Sequence, residues 1–143
     1  MLSKKARYSI HALLRLAREP SNNPVQISRI ASDQNIPKKF LESILLELKN
    51  EGILASKKGK GGGYYLIRKP EDINLADIIR HFDGAIALLA CATYKYYQPC
   101  NHCKDELICG VRSVIRYLRD TMVNFLKGTS LIFSSPHESR NMI

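Results

Sequence analysis

The chain has 143 residues, 45% hydrophobic and 24% charged, and its 22 Lys and Arg against 13 Asp and Glu give a formal net charge of +9 at pH 7. That length allows one domain, or a domain with an appended element, and excludes a second large one. No apolar run approaches the ~20 residues that span a bilayer and residues 1–5 carry no apolar leader segment, so the expectation is a cytoplasmic protein without a membrane partner.

The charge is uneven. Residues 1–70 hold 14 basic and 5 acidic side chains, a net of +9, whereas residues 71–143 hold 8 of each. The first half is therefore either the footprint of a polyanion partner or a solvated basic surface. The cysteines are uneven too: Cys91, Cys100, Cys103 and Cys109 all fall within the nineteen residues 91–109. In a reducing cytoplasm such a group suits metal ligation or redox chemistry better than structural disulfides.

In chain order, Ala6, Ile10, Leu13, Leu14 and Ala17 recur at helical spacing and predict an amphipathic helix over 3–18, ended by Pro20, Ser21, Asn22, Asn23 and Pro24. A short second helix is predicted from 26 or 28 to 34, burying Ile27, Ile30 and Ala31. Asn35 and Ile36 make a tight turn, and a third helix runs over 37–50 with Pro37 in its first turn and Leu41, Ile44, Leu45 and Leu48 as the inward stripe. Two helices joined by so short a turn are a helix-turn-helix candidate, although any helical bundle contains such pairs.

The segment after the third helix sharpens that reading. Gly52 stops the helix, residues 53–56 and 64–68 predict two strands, and between them Lys57, Lys58, Gly59, Lys60 and three further glycines form a cationic hairpin tip. This is the pattern of a wing, in which glycines let backbone approach a duplex and lysines reach phosphates. A nucleotide-binding loop would need the order G-x-x-x-x-G-K-[ST] and a following helix, and has neither. Asn74 then caps a helix to about 82, closed by Asp83 and Gly84, and the cysteine segment reads as a loop. From about 106 to 127, Ile108, Val111, Ile115, Leu118, Met122 and Phe125 step by three and four in an a/d seam. The seam packs on a second copy of itself, making a homodimer, or folds back on its own domain. Residues 128–143 are expected to be a flexible tail.

The fold class is thus mainly α: a winged helix-turn-helix with a two-stranded wing and a long C-terminal dimerisation helix. Its segments are a DNA-binding domain over 1–83, a cysteine-rich loop over 84–109, the dimerisation helix over 110–127 and the tail.

The opening LSKKARYSIHALLRLA, the run IPKKFLESILLELKNEGIL followed by KKGKGGGYYL, and INLADIIRHFDG before the first cysteine resemble, in order and spacing over about residues 1–127, the winged-helix regulators that include IscR, NsrR and CymR. The resemblance implies a non-enzymatic, homodimeric transcription factor, a repressor, that reads a palindromic operator in double-stranded DNA and whose binding is tuned in many members by an iron-sulfur cluster of the 2Fe-2S or 4Fe-4S type. It implies DNA contacts from Ser28, from Lys38, Lys39, Phe40, Glu42 and Ser43, and from Lys57, Lys58, Gly59 and Lys60. Lys58 stands where the family usually has an arginine, which keeps the charge and loses the planar fork. The cluster ligands implied are Cys91, Cys103 and Cys109, with Cys100 as an added thiol in a longer gap. Arg112 stands where the iron-sulfur cluster regulator has a histidine ligand, so a fourth ligand falls to Cys100, to His102 or to a partner's His11.

Three other readings of the cysteines remain. Zinc in a four-thiolate site is one, although C-x8-C-x2-C-x5-C has a single close knuckle. A metal-free thiol switch is another, and control by a partner protein is the third. A thiol oxidoreductase built on Cys100 and Cys103 would place that pair at a helix start beside a sheet, and no strand pattern lies nearby.

Overall fold

The computed structural model describes residues 2–132. Its elements are α1 (Lys4–Ala17), α2 (Ile27–Gln34), α3 (Lys38–Asn50), β1 (Leu54–Lys57), β2 (Gly63–Leu66), α4 (Leu75–Asp83) and α5 (Gly110–Gly128), with single 3-10 turns at Pro70–Asp72 and Ala90–Ala92. The predicted order of helices and hairpin is thereby met, with ends shifted by a residue or two where caps decide them.

Each boundary has a local cause. Ser3 caps α1, its hydroxyl accepting from the Ala6 N–H at 3.0 Å, and Asn74 does the same for α4 through the Asp77 N–H at 3.0 Å. α2 ends on Asn35, which adopts the left-handed conformation at φ 52°. That geometry lets the Ile36 N–H return to the Ala31 carbonyl at 2.9 Å and sends Ile36 into the core, 4% exposed. The turn between α2 and α3 is therefore fixed by one αL asparagine and one buried isoleucine.

α1 packs on α2, α3 and α4. Between them lie Leu13, Ile30, Leu41, Ile44, Leu45 and Leu48, all fully buried, the same apolar stripes that the helical periodicity picks out. Arg15 is buried as well, and it ties α1 to α2: Nε donates to Asp33 Oδ2 and Nη1 to Glu19 Oε1, both at 2.6 Å. Asp33 is not recognisable as a partner in the sequence, since it lies on another helix, whereas Glu19 stands at the i,i+4 spacing.

β1 and β2 pair antiparallel with Leu54 opposite Leu66 and Lys57 opposite Gly63. Val25 adds a bridge on the far side of β2, exchanging two backbone hydrogen bonds of 2.9 Å with Tyr64. Close backbone approaches here and within the hairpin explain two of the glycines. A Cβ on Gly63 would lie 2.2 Å from the Val25 carbonyl oxygen, and one on Gly62 would lie 2.2 Å from the Lys57 carbonyl oxygen. The last two glycines of the run are thus demanded by the fold, whereas Gly59 has open space around it at the tip.

Two expectations are corrected. The periodic seam runs back to about 106, but the long helix begins at Gly110, at the segment boundary drawn from the sequence, so Ile108 precedes the helix and stands 83% exposed. Cys109 is its cap, and the periodic step from Ile108 to Val111 runs across that start because a cysteine cap is not a recognisable stop signal. The chain after 128 does not loosen at once either. The Leu75 N–H donates to the Thr129 carbonyl, the Leu131 N–H to the Ile73 carbonyl, and Leu131 is 2% exposed against the core. The rest of the expected tail, 133–143, lies outside the described residues.

Candidate nucleic-acid interface and cysteine site

The start of α3 departs from ordinary helix design. Pro37 occupies the cap without a side-chain hydrogen bond, no acidic residue stands in the first turn, and Lys38 and Lys39 open the helix. Cations there oppose the helix dipole, and free N–H groups there favour an anion. The arrangement is unfavourable for an isolated helix and suited to a phosphate. Lys38, Lys39, Glu42 and Ser43 are exposed, as is Ser28 at the start of α2. Phe40 is half exposed and packs edge-on against Tyr8 of α1, with ring centroids 5.7 Å apart. The Ser43 hydroxyl is turned back to the Phe40 carbonyl at 2.8 Å.

Lys57, Lys58, Gly59 and Lys60 are all exposed at the hairpin tip. Lys49, between the two regions, donates instead to the Ser56 hydroxyl at 2.7 Å and so braces α3 against β1. The hairpin is thereby held to α3 by a contact that the sequence reading missed; a lysine eight residues before the tip carries no signal of it.

In the cysteine loop the structure brings together two thiols. Cys103 Sγ donates to Cys109 Sγ at 3.4 Å, and Cys109 Sγ also accepts from the Arg112 N–H at 3.5 Å as the cap of α5. The Cys109 thiol is held below its usual value, first by that backbone N–H and then by Cys103. Cys103 is pushed up to about 12, chiefly by Cys109 and then by Cys100. Cys100 stays beside the pair, its carbonyl accepting from the Cys103 N–H at 3.3 Å.

Cys91 is buried in its 3-10 turn at 6% exposure, and its carbonyl accepts from Arg112 Nε at 2.9 Å. Arg112 therefore links Cys91 to the helix that Cys109 caps. Glu106 closes the loop from the other side: Tyr97 donates its hydroxyl to Glu106 Oε2, and the Cys100 N–H donates to Oε1 at 3.2 Å. These donors, Tyr97 first, hold the Glu106 carboxyl below its usual range. His11 and His102 are exposed, and among the described residues nothing aims them at the thiols.

Two sulfurs on one tetrahedral metal at about 2.3 Å stand about 3.8 Å apart. Cys103 and Cys109 are within a few tenths of an ångström of that spacing, so the pair fits a thiolate-bound metal or cluster iron. Among the described residues no three Cys, His, Asp or Glu side chains converge on one point. The third and fourth thiols share the loop without surrounding that pair.

The faces of α5 divide the roles. At about 100° per residue, Val111, Val114, Leu118 and Phe125 fall within a strip of about 60°, and they are 65%, 65%, 39% and 57% exposed. Ile115 and Met122, half buried, widen that strip. Arg112 and Arg119 lie about 100° round the helix and face the molecule's own loop, where Arg119 donates to the Ala92 carbonyl. Val114 belongs to the exposed strip and was hidden from an a/d count, and nothing in the sequence marks Arg112 and Arg119 as turned inward. No helix among the described residues is long and apolar enough to cross a membrane.

Comparison with known proteins agrees with this geometry. The Rrf2 family, described as iron-dependent transcriptional regulators, matches residues 2–132. A rrf2-like HTH-type transcriptional regulator of Rhodobacter capsulatus is 42% identical over 117 residues, 80% of this chain and 78% of that protein. IscR of Aliivibrio salmonicida is 30% identical over 130 residues, 91% and 74% of the two chains. Among solved structures, CymR, the global cysteine regulator of B. subtilis, superposes with a TM-score of 0.77 at 28% identity, covering 98% of this chain and 97% of that one. The resemblance read from the sequence and the winged-helix, mainly helical fold are both met.

Proposed function

The chain belongs to the Rrf2 family of DNA-binding transcriptional regulators, not to a family of enzymes, and from that premise we propose that it is a homodimeric repressor whose grip on a palindromic operator is tuned by an iron-sulfur cluster. The observation that carries the reading is the paired thiols of Cys103 and Cys109 at the cap of α5, a helix with an exposed apolar face. Cys91, Cys103 and Cys109 would hold the cluster, with Cys100 beside them for the remaining iron position or His11 of a second copy in its place. Bound there, a cluster supplies electron exchange and sensitivity to oxidants.

The chain's own residues do the rest. Cys109 keeps its helix cap, and the Arg112 N–H, then Cys103, hold its thiol below the usual value, which favours the metal-binding thiolate. Arg112 fixes the Cys91 turn to α5 and places a cation beside the thiolates. The strip of Val111, Val114, Leu118 and Phe125 would pair two copies, setting the distance between two recognition helices and hence the half-site spacing. Ser28, the first turn of α3 and the wing tip would make the base and phosphate contacts, in the cytoplasm where such DNA resides.

Anaerobic purification followed by a visible spectrum with iron, sulfide and zinc assays tests the cluster. The expectation is a coloured protein with iron and sulfide that loses both on Cys103→Ser or Cys109→Ser. Serine is itself a good cap, so the second variant keeps α5 in place. A colourless protein holding stoichiometric zinc and no sulfide would overturn the cluster reading.

A further inference from the structure

We propose that the cavity between the end of α4, the loop 84–96 and α5 is a binding site for a small organic carboxylate with an apolar body. The cavity has a volume of about 340 Å³, at the lower end of the range that small-molecule sites occupy. Ile86, Val123, Tyr94 and Tyr96 are among its lining residues, and three cations, Arg80, Lys95 and Arg119, border it against one carboxylate, Asp120.

Arg119 decides the ligand's charge. It is 4% exposed, with its guanidinium 3.8 Å over the Tyr94 ring. Nη1 donates to the Ala92 carbonyl and Nε donates to Asp120 Oδ1 at 2.9 Å. Nη2 lies 2.8 Å from the same Asp120 oxygen but out of hydrogen-bonding alignment, and is left a buried donor without a hydrogen bond. A guanidinium presents its donors in one plane and favours a planar acceptor. A carboxylate that displaces the Asp120 side chain from the cavity wall would take up Nη2, and its apolar body would meet Tyr94, Tyr96, Ile86 and Val123. Inorganic phosphate would gain the charge and forfeit those walls. Of the other cations, Arg80 is 3.8 Å from Asp77 and Lys95 lies over Tyr96 at 5.8 Å, so the mouth stays positive.

The place matters as much as the chemistry. The ligand would touch α4, which packs on α1 of the DNA-reading domain, the loop that carries Cys91, and α5 at once. Arg119 and Val123 lie about 80° and 120° round α5 from Val111, with Ile115 and Met122 between, so the cavity wall flanks the exposed strip.

The test uses the full chain without DNA, so its outcome is independent of operator binding and of cluster loading. The chain has no Trp, and Tyr94 and Tyr96 face the cavity, so tyrosine fluorescence reports directly on occupancy. Phenylacetate is titrated against phenylethylamine, which has the same body with the opposite charge, and against inorganic phosphate. The expected result is saturable quenching by phenylacetate alone, with a melting temperature that rises with its concentration. Arg119→Gln should weaken binding by about tenfold or more. Because that variant removes a buried charge, Val123→Phe, which fills the cavity from a half-buried position, serves as a second variant and should abolish binding with the fold intact. Absence of saturable binding to wild type, equal binding of phenylethylamine, or unchanged binding by Val123→Phe would each overturn the proposal.

Discussion

Replacing Lys58 by Ala tests how the wing meets DNA. Lys58 is exposed at the hairpin tip and has no ion pair among the described residues, so its loss leaves the fold unchanged and removes one cation from each wing. In a dimer with both wings engaged, two phosphate contacts go. Each neutralised phosphate contributes about 0.9 to the slope of log affinity against log salt, so the variant's slope should be shallower by about 1.8. Over a fourfold change, from roughly 50 to 200 mM salt, that difference amounts to about twelvefold: the variant's defect should shrink by this factor as salt rises. Fluorescence anisotropy with a mixed-sequence duplex suffices, since this contribution does not depend on base identity. Lys49→Ala is the control, because that exposed amine is committed to Ser56 within the chain. Equal slopes for wild type and Lys58→Ala, or the same change in Lys49→Ala, would refute the assignment of the tip as a phosphate clamp.

Leu41→Ala, at a fully buried position under the recognition helix, should lower stability by about 2–5 kcal/mol in a urea titration. Glu19 is held below its usual pKa of 4.5 first by the Arg15 hydrogen bond; a depressed carboxylate contributes stability above the unfolded value that disappears as pH falls through the folded one, so Glu19→Gln should flatten the acid side of a stability-against-pH profile. In the metal-free protein, Cys109 should be alkylated well ahead of Cys103, whose pKa of about 12 keeps it protonated at pH 8; peptide mass spectrometry after brief iodoacetamide treatment reads the order, and equal labelling would contradict the hydrogen bond between them. Leu118→Asp, on the exposed strip of α5, should give a folded monomer in sedimentation equilibrium, and a persisting dimer would remove that strip from the interface.

Much of the helix-and-hairpin first half was legible because its determinants are local. The stripe of Leu41, Ile44, Leu45 and Leu48 follows from helical geometry, Asn35 and Pro37 set the turn, and alternation around a glycine-lysine tip sets a hairpin. The lysines of α3 and of the wing need no tertiary partner to be exposed, so charge counting over residues 1–70 located them. The cysteine segment was legible in chemistry and not in form. Four thiols within nineteen residues announce a site, yet nothing in their spacing says that Cys103 and Cys109 meet while Cys91 turns into the core.

Sequence by itself therefore determined the succession of helices and hairpin, the basic half and the thiol-bearing segment, since propensity, periodicity and charge are properties of neighbouring residues. Tertiary structure alone decided what depends on distant chain segments. Gly63 is required by the backbone of Val25, Arg15 is buried by Asp33 across two helices, and the chain after 128 returns to pair beside Ile73. It also decided the α5 division, in which Arg112 and Arg119 turn inward to the carbonyls of Cys91 and Ala92 and leave the valines outside. A hydropathy pattern assigns charge to solvent and apolar groups to the core. It cannot anticipate that buried carbonyls of a loop twenty-odd residues away will need two guanidinium groups to satisfy them.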